Sequence, residues 1–428
     1  MNVEGRKMNL ENKSGITGYK QFLGFFMTLI ICICMCGAIN SRASGLANGV
    51  GALANAAGGL RGVWFSYINW AEMPSDEEAF KKEADKVMET IAANGLNAIF
   101  CHVHSHTDAY YRSDIFPVSK FLPTNPDRFD ALGYMVDSAH RHGIQFHAWL
   151  NPYRVTGSMK KWEEEKKDSI SKRWYNNPET NRNVLLFDGS YYLNPSKKEV
   201  RDLIVSAVEE VMTKYNVDGV QFDDYFYPGL GTGADTNFDY QEYVESGSTL
   251  PIAEWRRDNV SALIESVYAK VHEMKPSAVF GVSPVAQLKY LKSNRSYFVD
   301  IDEWLSSDKY VDYILPQIYF GFEQKTGSGA VSDAAYEVCL NDWINLMEKN
   351  NSKVKLYVGL ALYKCNTDSW DGNDIPEWLR YNDILAREVL TALATGKVSG
   401  FGIYAYHNLV DSKVIKEVEN LRKIFRGA

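Results

Sequence analysis

Two adjacent aspartates, Asp223 and Asp224, are the residues whose type and spacing most directly suggest chemistry. They come at the end of an apolar run, VDGVQF, that is typical of a buried strand. Two carboxyl groups this close raise one another's pKa, because like charges resist joint ionisation, so one can stay protonated while the other remains an anion. Cleavage of a glycosidic bond requires this division of labour. A structural alternative is that strand alternation turns one side chain inward and leaves the other to cap the next loop.

A third carboxyl group, that of Glu323, lies four residues beyond Tyr319. In one variant of the hypothesis Asp223 is the nucleophile or base and Glu323 is the acid. The distance between two such carboxyl groups distinguishes retention, at roughly 5–5.5 Å, from inversion, at roughly 6.5–9.5 Å. The structural alternative for Glu323 is a solvated acid on a loop.

Three histidines with one residue between each pair, His102, His104 and His106, follow the second apolar run. Such a pair at a strand end can bind zinc. An amidohydrolase-type site would need further histidines after the fifth and sixth runs, where the sequence has Ser283 and Gln317. Alternation predicts that the three histidines share one face and line a cleft as hydrogen-bonding groups. We expect no metal and no cofactor, and a histidine-based metallohydrolase is the alternative.

Other polar and aromatic side chains also follow the apolar runs. Amides and cations can hydrogen-bond to sugar hydroxyls, and an aromatic ring can pack on the apolar face of a pyranose. The same aromatic residues could instead fill a core. The residues predicted to bind substrate are Arg61, Trp64, His102, His104, Trp149, Asn151, Tyr153, Arg154, Tyr225, Gln317, Tyr319, Tyr404 and Tyr406, with Lys364 as a further candidate.

Eight short apolar runs alternate with longer stretches of helical periodicity. The runs begin near Arg61, Leu96, Ile144, Val217, Ala278, Val311, Val354 and Gly400, and the helical stretches cover residues 76–94, 130–142, 196–215, 252–274, 301–307, 333–350, 376–394 and 411–425. Continuously hydrophobic strands predict a parallel sheet that is covered on both faces. Eight strand–helix units predict an α/β protein with a single closed (β/α)8 TIM barrel, whose active site lies at the carboxyl ends of the strands.

The N-terminus has the composition of an export signal. Three lysines precede an apolar run at residues 22–36, and small residues follow as far as the tripeptide Ser41-Arg42-Ala43. This order predicts a signal peptide or an uncleaved signal anchor at residues 1–43. Residues 44–59 are then an Ala/Gly-rich tether and residues 60–428 the barrel domain. We expect a secreted or cell-surface protein that contacts the membrane only through an uncleaved N-terminal segment.

The overall composition narrows the class of partner. The chain of 428 residues is 45% hydrophobic and 23% charged, which is typical of a globular protein. Its net charge of −8 lacks the basic character of a nucleic-acid-binding protein. We therefore expect no nucleic-acid partner. The expected partner is a polysaccharide substrate, and the protein is expected to be a monomer.

Several motifs together resemble the bacterial family-10-like glycosyl hydrolases, the GHL10 or DUF187 group. They are RGVW at 61–64, FHAWLNPYR at 146–154, YLNP at 192–195, VDGVQFDDYFYP at 217–228, WRRDNV at 255–260, GVSP at 281–284, DYILPQIYFGFE at 312–323 and LYVGLALYK at 356–364. The resemblance implies a (β/α)8 fold, export and glycan hydrolysis, in some members of peptidoglycan strands, with Asp223 and Asp224 as the catalytic positions. Relatives usually have a V-Q-V-R-P type run after the second strand. The run His102-Val103-His104-Ser105 departs from it, so the part of the substrate site built by that strand is in question.

These observations lead to one hypothesis and a rival from another class. The hypothesis is hydrolysis of glycosidic bonds in an N-acetylated polysaccharide, with peptidoglycan as the leading candidate. Asp224 is then the general acid, and Asp223 orients the acetamido group or stabilises the developing oxocarbenium ion. The rival is a non-catalytic protein that binds cell-wall glycan through a decayed active site.

Overall fold

The computed structural model describes residues 59–427, except residues 158, 165 and 370–372. The predicted signal segment at residues 1–43 lies outside the described residues, as do residues 44–58 of the predicted tether.

Eleven strands form two sheets in the described part of the chain. In chain order they are β1 (Leu60–Phe65), β2 (Ala98–His104), β3 (Gln145–Leu150), β4 (Arg154–Thr156), β5 (Val184–Phe187), β6 (Ser190–Leu193), β7 (Gly219–Phe222), β8 (Val279–Val282), β9 (Tyr313–Ile314), β10 (Lys355–Ala361) and β11 (Gly400–Tyr404). Eight of them close a parallel barrel in the order β1-β11-β10-β9-β8-β7-β3-β2. The predicted (β/α)8 barrel is therefore confirmed.

The other three strands form a small antiparallel sheet in the order β4-β6-β5. It lies in the connection between β3 and the next barrel strand, β7. This sheet is not apparent from the sequence, because its strands are only three or four residues long.

Helices cover the outside of the barrel. They are α1 (Tyr67–Glu72), α2 (Glu77–Ala93), α3 (Ala131–Arg141), α4 (Met159–Glu163), α5 (Ile170–Asn176), α6 (Lys198–Lys214), α7 (Tyr240–Ser246), α8 (Ile252–Met274), α9 (Leu288–Leu291), α10 (Ile301–Ser306), α11 (Tyr336–Lys349), α12 (Ile375–Arg380), α13 (Ile384–Ala394), α14 (Tyr406–Leu409) and α15 (Ile415–Arg426). The helix predicted over residues 376–394 is thus two helices, α12 and α13. Within the described residues, none of the helices has the length and apolarity needed to cross a bilayer.

The helix α2 shows how local sequence sets these elements. Its N-cap Asp76 accepts a hydrogen bond from the amide of Ala79, which satisfies one of the free N–H groups at the helix start. The chain leaves the helix at Gly95, whose φ of +75° favours glycine. The buried residues recur at helical spacing and pack on the barrel; they are Phe80, Ala84, Val87, Met88 and Ile91.

Large aromatic rings fill the barrel interior below the cavity described next. Glycines in the strands make room for them, since a Cβ at Gly281 would lie 2.1 Å from the Tyr313 ring. A Cβ at Gly402 would lie 2.8 Å from the ring of Trp64. The Trp64 indole N–H donates to Gln221 Oε1 at 2.9 Å, so its polar end is paired inside the barrel. The aromatic layer gives the cavity a fixed floor.

Candidate active site

Asp223 and Asp224 both line a cavity of about 360 Å³ in the mouth of the barrel. Strand β7 ends at Phe222, so the two aspartates stand on the loop that follows it. Strand alternation therefore does not continue through them, which removes the reason for expecting one carboxyl group to point away. The structure brings the two adjacent acids into one cavity.

The ends of all eight barrel strands contribute to this central cavity. Its volume is within the range of small-molecule sites, about 300–1,000 Å³. Its lining combines amides, hydroxyls and rings, as expected of a site that binds a sugar. The lining residues are Trp64, Tyr67, His102, Trp149, Asn151, Arg154, Asp223, Asp224, Tyr225, Ser283, Gln317, Tyr319, Tyr363 and Tyr404.

The deeper acid, Asp223, is held by hydrogen bonds to both carboxyl oxygens. The Trp149 indole N–H donates to Oδ2 at 3.2 Å, and the amide of Tyr225 donates to Oδ1 at 3.2 Å. Burial and the neighbouring charge of Asp224 hold the pKa of Asp223 well above its usual range, against these two hydrogen bonds. Asp223 is therefore both fixed in orientation and inclined to hold a proton.

The second acid, Asp224, is less buried than Asp223. Burial raises the pKa of Asp224 to about 6, although a hydrogen bond from Gln317 and the charge of Arg154 lower it. Because the two groups are neighbours, they titrate as a pair, and between its two titration steps the pair carries one proton. Such a pair can supply a proton and an anion at the same time.

His102 lies in the central cavity as a neutral ring. Its Nδ1 accepts a hydrogen bond from the amide of Tyr67 at 3.0 Å, which leaves the ring proton on Nε2. Burial holds the pKa of His102 well below its usual range. The ring stacks on Trp149 with centroids 3.3 Å apart, and Nε2 lies 3.5 Å from Asn151 Oδ1. His102 thus supports the indole that donates to Asp223.

The prediction that the three histidines share one face is wrong. Strand β2 pairs His102 with Trp149 and His104 with Leu150, so its register against β3 shifts by one residue between the two histidines. A bulge of this kind reverses the alternation and turns the following side chain away from the barrel interior.

His104 and His106 lie outside the central cavity. The ring of His104 is held between the carbonyl of Asp108, at 2.6 Å, and the hydroxyl of Tyr111, at 3.0 Å. His106 Nδ1 lies 2.9 Å from the hydroxyl of Ser105. In the described part of the chain, no three His, Cys, Asp or Glu side chains are grouped so that they could hold a metal ion.

A second, larger cavity of about 490 Å³ adjoins the central one. Three residues, Arg154, Asp224 and Tyr225, line both cavities and form the wall between them. Arg154 lies over the Tyr225 ring, 4.7 Å from its centroid. Asp224 is the carboxyl group on this wall, whereas Asp223 lines only the central cavity.

Besides His104, three of the predicted substrate-binding residues lie away from both cavities. Arg61 is near the amino end of β1, where its Nε donates to the carbonyl of Gly95 at 2.7 Å, so it is at the end of the barrel opposite the cavity. Tyr153 is fully buried in the core around the barrel. Tyr406 packs on Phe65 at 5.5 Å, outside the strands.

Glu323 and Lys364 are also absent from the lining of the central cavity. Glu323 Oε2 accepts from Arg380 at 2.8 Å in a partly exposed ion pair. Lys364 is buried and donates to the carbonyl of Tyr319, which it holds in place from behind. The structure therefore does not bring Glu323 together with Asp223.

Sequence reasoning missed several residues of the two cavities. Ser283 and Tyr363 lie one and two residues after barrel strands β8 and β10, and this position was the available signal. Tyr67 follows β1 and shares the capping segment at the start of α1. Tyr192 and Tyr297 line the second cavity from segments outside the barrel repeat, where the pattern gave no signal.

Comparison with known proteins gives a consistent family and fold. The family model described as glycosyl hydrolase-like 10 matches residues 59–378. Glycosyl hydrolase YngK of Bacillus subtilis is 30% identical over 331 residues, which are 72% of this chain and 62% of YngK. Glycosyl hydrolase DigH of Escherichia coli is 31% identical over 355 residues, 75% of this chain and 76% of DigH.

A solved structure shows the same fold. The PgaB (BpsB) glycoside hydrolase domain from Bordetella bronchiseptica has a TM-score of 0.55 and 14% identity, and the match covers 85% of this chain and 98% of that domain. At this identity the likeness concerns the barrel fold.

Proposed function

Since the chain belongs to the glycosyl hydrolase-like 10 family, we propose that it hydrolyses glycosidic bonds in an N-acetylated polysaccharide, with peptidoglycan glycan strands as the leading candidate. One observation carries the proposal: the carboxyl groups of Asp223 and Asp224 both line the sugar-sized cavity at the barrel mouth. The names of YngK and DigH support hydrolysis of a glycan. The match covers only 62% of the length of YngK, so the activity proposed for this chain is argued from the residues of its own cavity.

Asp224 is the general acid in this proposal. Its protonated carboxyl group donates to the glycosidic oxygen as the bond from that oxygen to C1 breaks. Its place on the wall between the two cavities supports the role, because the glycosidic bond lies between two neighbouring sugars and one sugar can occupy each cavity. The two acids share one proton, and hydrolysis uses the form in which that proton is on Asp224, because the hydrogen bonds from Trp149 and Tyr225 favour the charged form of Asp223.

Asp223 orients the substrate's own acetamido group. It accepts a hydrogen bond from the acetamido N–H, so that the acetamido oxygen attacks C1 and forms a cyclic oxazolinium ion. Asp224, now a carboxylate, then takes a proton from water; the water oxygen attacks C1, and the acetamido group is restored. The hydrogen bonds from Trp149 and Tyr225 fix the Asp223 carboxyl group for this role.

The rest of the central cavity holds the sugar. The rings of Trp64, Tyr319 and Tyr404 offer apolar surfaces for a pyranose, while Gln317 and Asn151 offer amides for its hydroxyls. Export is proposed from residues 1–43, whose lysine-rich and then apolar order is typical of a signal. We also propose that the protein acts as a monomer on the polysaccharide.

The test compares wild type with Asp223→Asn and Asp224→Asn on peptide-free wall glycan strands. New reducing ends are counted and the products are identified by mass spectrometry. Each substitution is expected to lower kcat by about 10²–10⁴-fold, since each removes one member of the acid–base pair. Asp235→Asn is the matched control, because it lies exposed on the loop that follows the two aspartates.

Two further outcomes bear on the rival assignments. Glu323→Gln is expected to retain wild-type activity, since Glu323 pairs with Arg380 and is absent from the lining of the central cavity. Wild-type turnover in both aspartate variants would remove the proposal. Binding of strands by the wild type without release of reducing ends would favour a non-catalytic wall-binding protein.

A further inference from the structure

The second cavity is built mainly by parts of the chain that are not barrel strands. One side comes from the small antiparallel sheet, through Arg154, Thr156, Ser190 and Tyr192. The other side comes from the loops that follow β7 and β8, through residues 225–229, Tyr290, Ser296 and Tyr297. The insertion after β3 therefore shapes a cavity that the barrel alone would lack.

We propose that this second cavity binds the sugar on the leaving-group side of the cleaved bond. The inference rests on the proposed function and deepens it. Asp224 lies on the wall shared by both cavities, whereas Asp223 lines only the central one. A glycan with its reacting sugar beside Asp223 must therefore pass over Asp224 and place its next sugar in the second cavity.

The lining of the second cavity fits a neutral sugar ring. Arg154 and Asp224 are its charged residues, and the others are hydroxyls, rings and small side chains. Tyr225 is 43% exposed, and Arg154 covers one face of its ring, so the other face can contact a ligand. Burial raises the pKa of Tyr297 to about 12, so its hydroxyl stays a neutral hydrogen-bonding group.

The loop that carries Tyr297 is held in place by backbone hydrogen bonds. Tyr297 pairs with Tyr227 in an isolated antiparallel bridge, and the amide of Leu230 donates to the carbonyl of Arg295 at 2.6 Å. Tyr297 has a φ of 58°, in the left-handed region that tyrosine rarely adopts. A costly backbone conformation of this kind, held by its surroundings in a residue that shares a cavity with Asp224, is typical of a functional segment.

The first experiment measures binding without turnover. Asp224→Asn is the parent, and Tyr192→Ala and Tyr297→Ala are added to it singly. Isothermal titration with peptide-free wall tetrasaccharide is expected to show a Kd about 3- to 10-fold weaker in each variant, since a ring contact is lost. Tyr240→Ala, an exposed tyrosine on α7 that lines neither cavity, is the matched control and should keep the parent's Kd.

The second experiment tests which side of the bond is bound. In enzyme that retains Asp224, a substrate with one more sugar on the reducing side of the cleaved bond should have a higher kcat/KM, by up to about 10-fold. That gain should disappear in Tyr192→Ala and Tyr297→Ala, whereas the gain from a sugar added on the other side should remain. Because Tyr192 lies on the small sheet and Tyr297 on a loop, misfolding of one segment leaves the other variant informative.

The outcomes separate the two proposals. Parent-like binding in both tyrosine variants, or no binding by the parent, would overturn the assignment of the cavity. It would also be overturned if the tyrosine variants lost the gain in kcat/KM from a sugar added on the non-reducing side. If the wild type released no reducing ends while binding still depended on both tyrosines, sugar binding in this cavity would be supported. Only the proposed hydrolysis would then fail.

Discussion

Loss of Arg256 should destabilise the protein far more than loss of an exposed arginine. Arg256 and Asp239 form a fully buried ion pair, with Arg256 Nε donating to Asp239 Oδ1 at 2.7 Å. The guanidinium also donates to the carbonyls of Ala234 and Asn237, at 2.6 and 3.0 Å. Asp239 accepts from the hydroxyl of Tyr227 as well, at 2.6 Å. The pair therefore closes the loop that begins with Asp223 and Asp224.

Arg256→Ala leaves the Asp239 carboxyl group and two carbonyls buried without their partner. Removing one member of such a pair costs about 3–5 kcal/mol of unfolding free energy. Arg380→Ala removes an exposed pair with Glu323, which is worth about 0–1 kcal/mol. Burial already raises the pKa of Asp239 with Arg256 opposite it, and loss of Arg256 removes the positive charge that opposes this shift.

Urea unfolding followed by tryptophan fluorescence measures the difference. The double variant Arg256→Met/Asp239→Leu should be more stable than Arg256→Ala, because no unpaired charge is left in the core. In glycan hydrolysis Arg256→Ala should lower kcat, since the loop after β7 loses its anchor. Equal unfolding free energies for Arg256→Ala and Arg380→Ala would refute the reasoning.

Three other predictions concern the site. The value of kcat/KM should fall as the pH drops through about 6, because the pair then takes up its second proton and loses its anion; constant activity down to pH 4 would contradict this. Trp149→Phe should lower kcat by about 10- to 100-fold with little change in KM, since Asp223 loses one hydrogen bond to its charged form while a ring remains; an unchanged kcat would count against the role of Asp223. Arg61→Ala should keep wild-type kcat/KM in the same assay, because Arg61 lies at the far end of the barrel, and a tenfold loss would place it in the site.

The barrel could be predicted from the sequence because each of its units repeats a local signal. Apolar runs alternate with amphipathic helices, and each strand end is marked by polar residues such as Asn151 or Gln317. The same logic brought Asp223 and Asp224 to the barrel mouth, since carboxyl ends of parallel strands converge. It also misplaced Arg61, which belongs to the amino end of a strand whose start is marked only by glycines.

The rest depends on contacts that a linear pattern does not show. A one-residue bulge turns His104 away from the cavity, and no residue type between His102 and His104 predicts that bulge. The small sheet has strands too short to show periodicity, so Tyr192 could not be assigned to a cavity. Tyr406 looked like a sugar platform by residue type, but it follows β11 into a short helix and packs on Phe65.

The most direct test is a crystal structure of Asp224→Asn with a peptide-free wall tetrasaccharide bound. We predict one sugar in the central cavity with its acetamido N–H within hydrogen-bond distance of Asp223. The next glycosidic oxygen should lie about 2.6–3.2 Å from the side chain at position 224. A tetrasaccharide bound elsewhere on the protein, with both positions free of sugar contacts, would contradict the account.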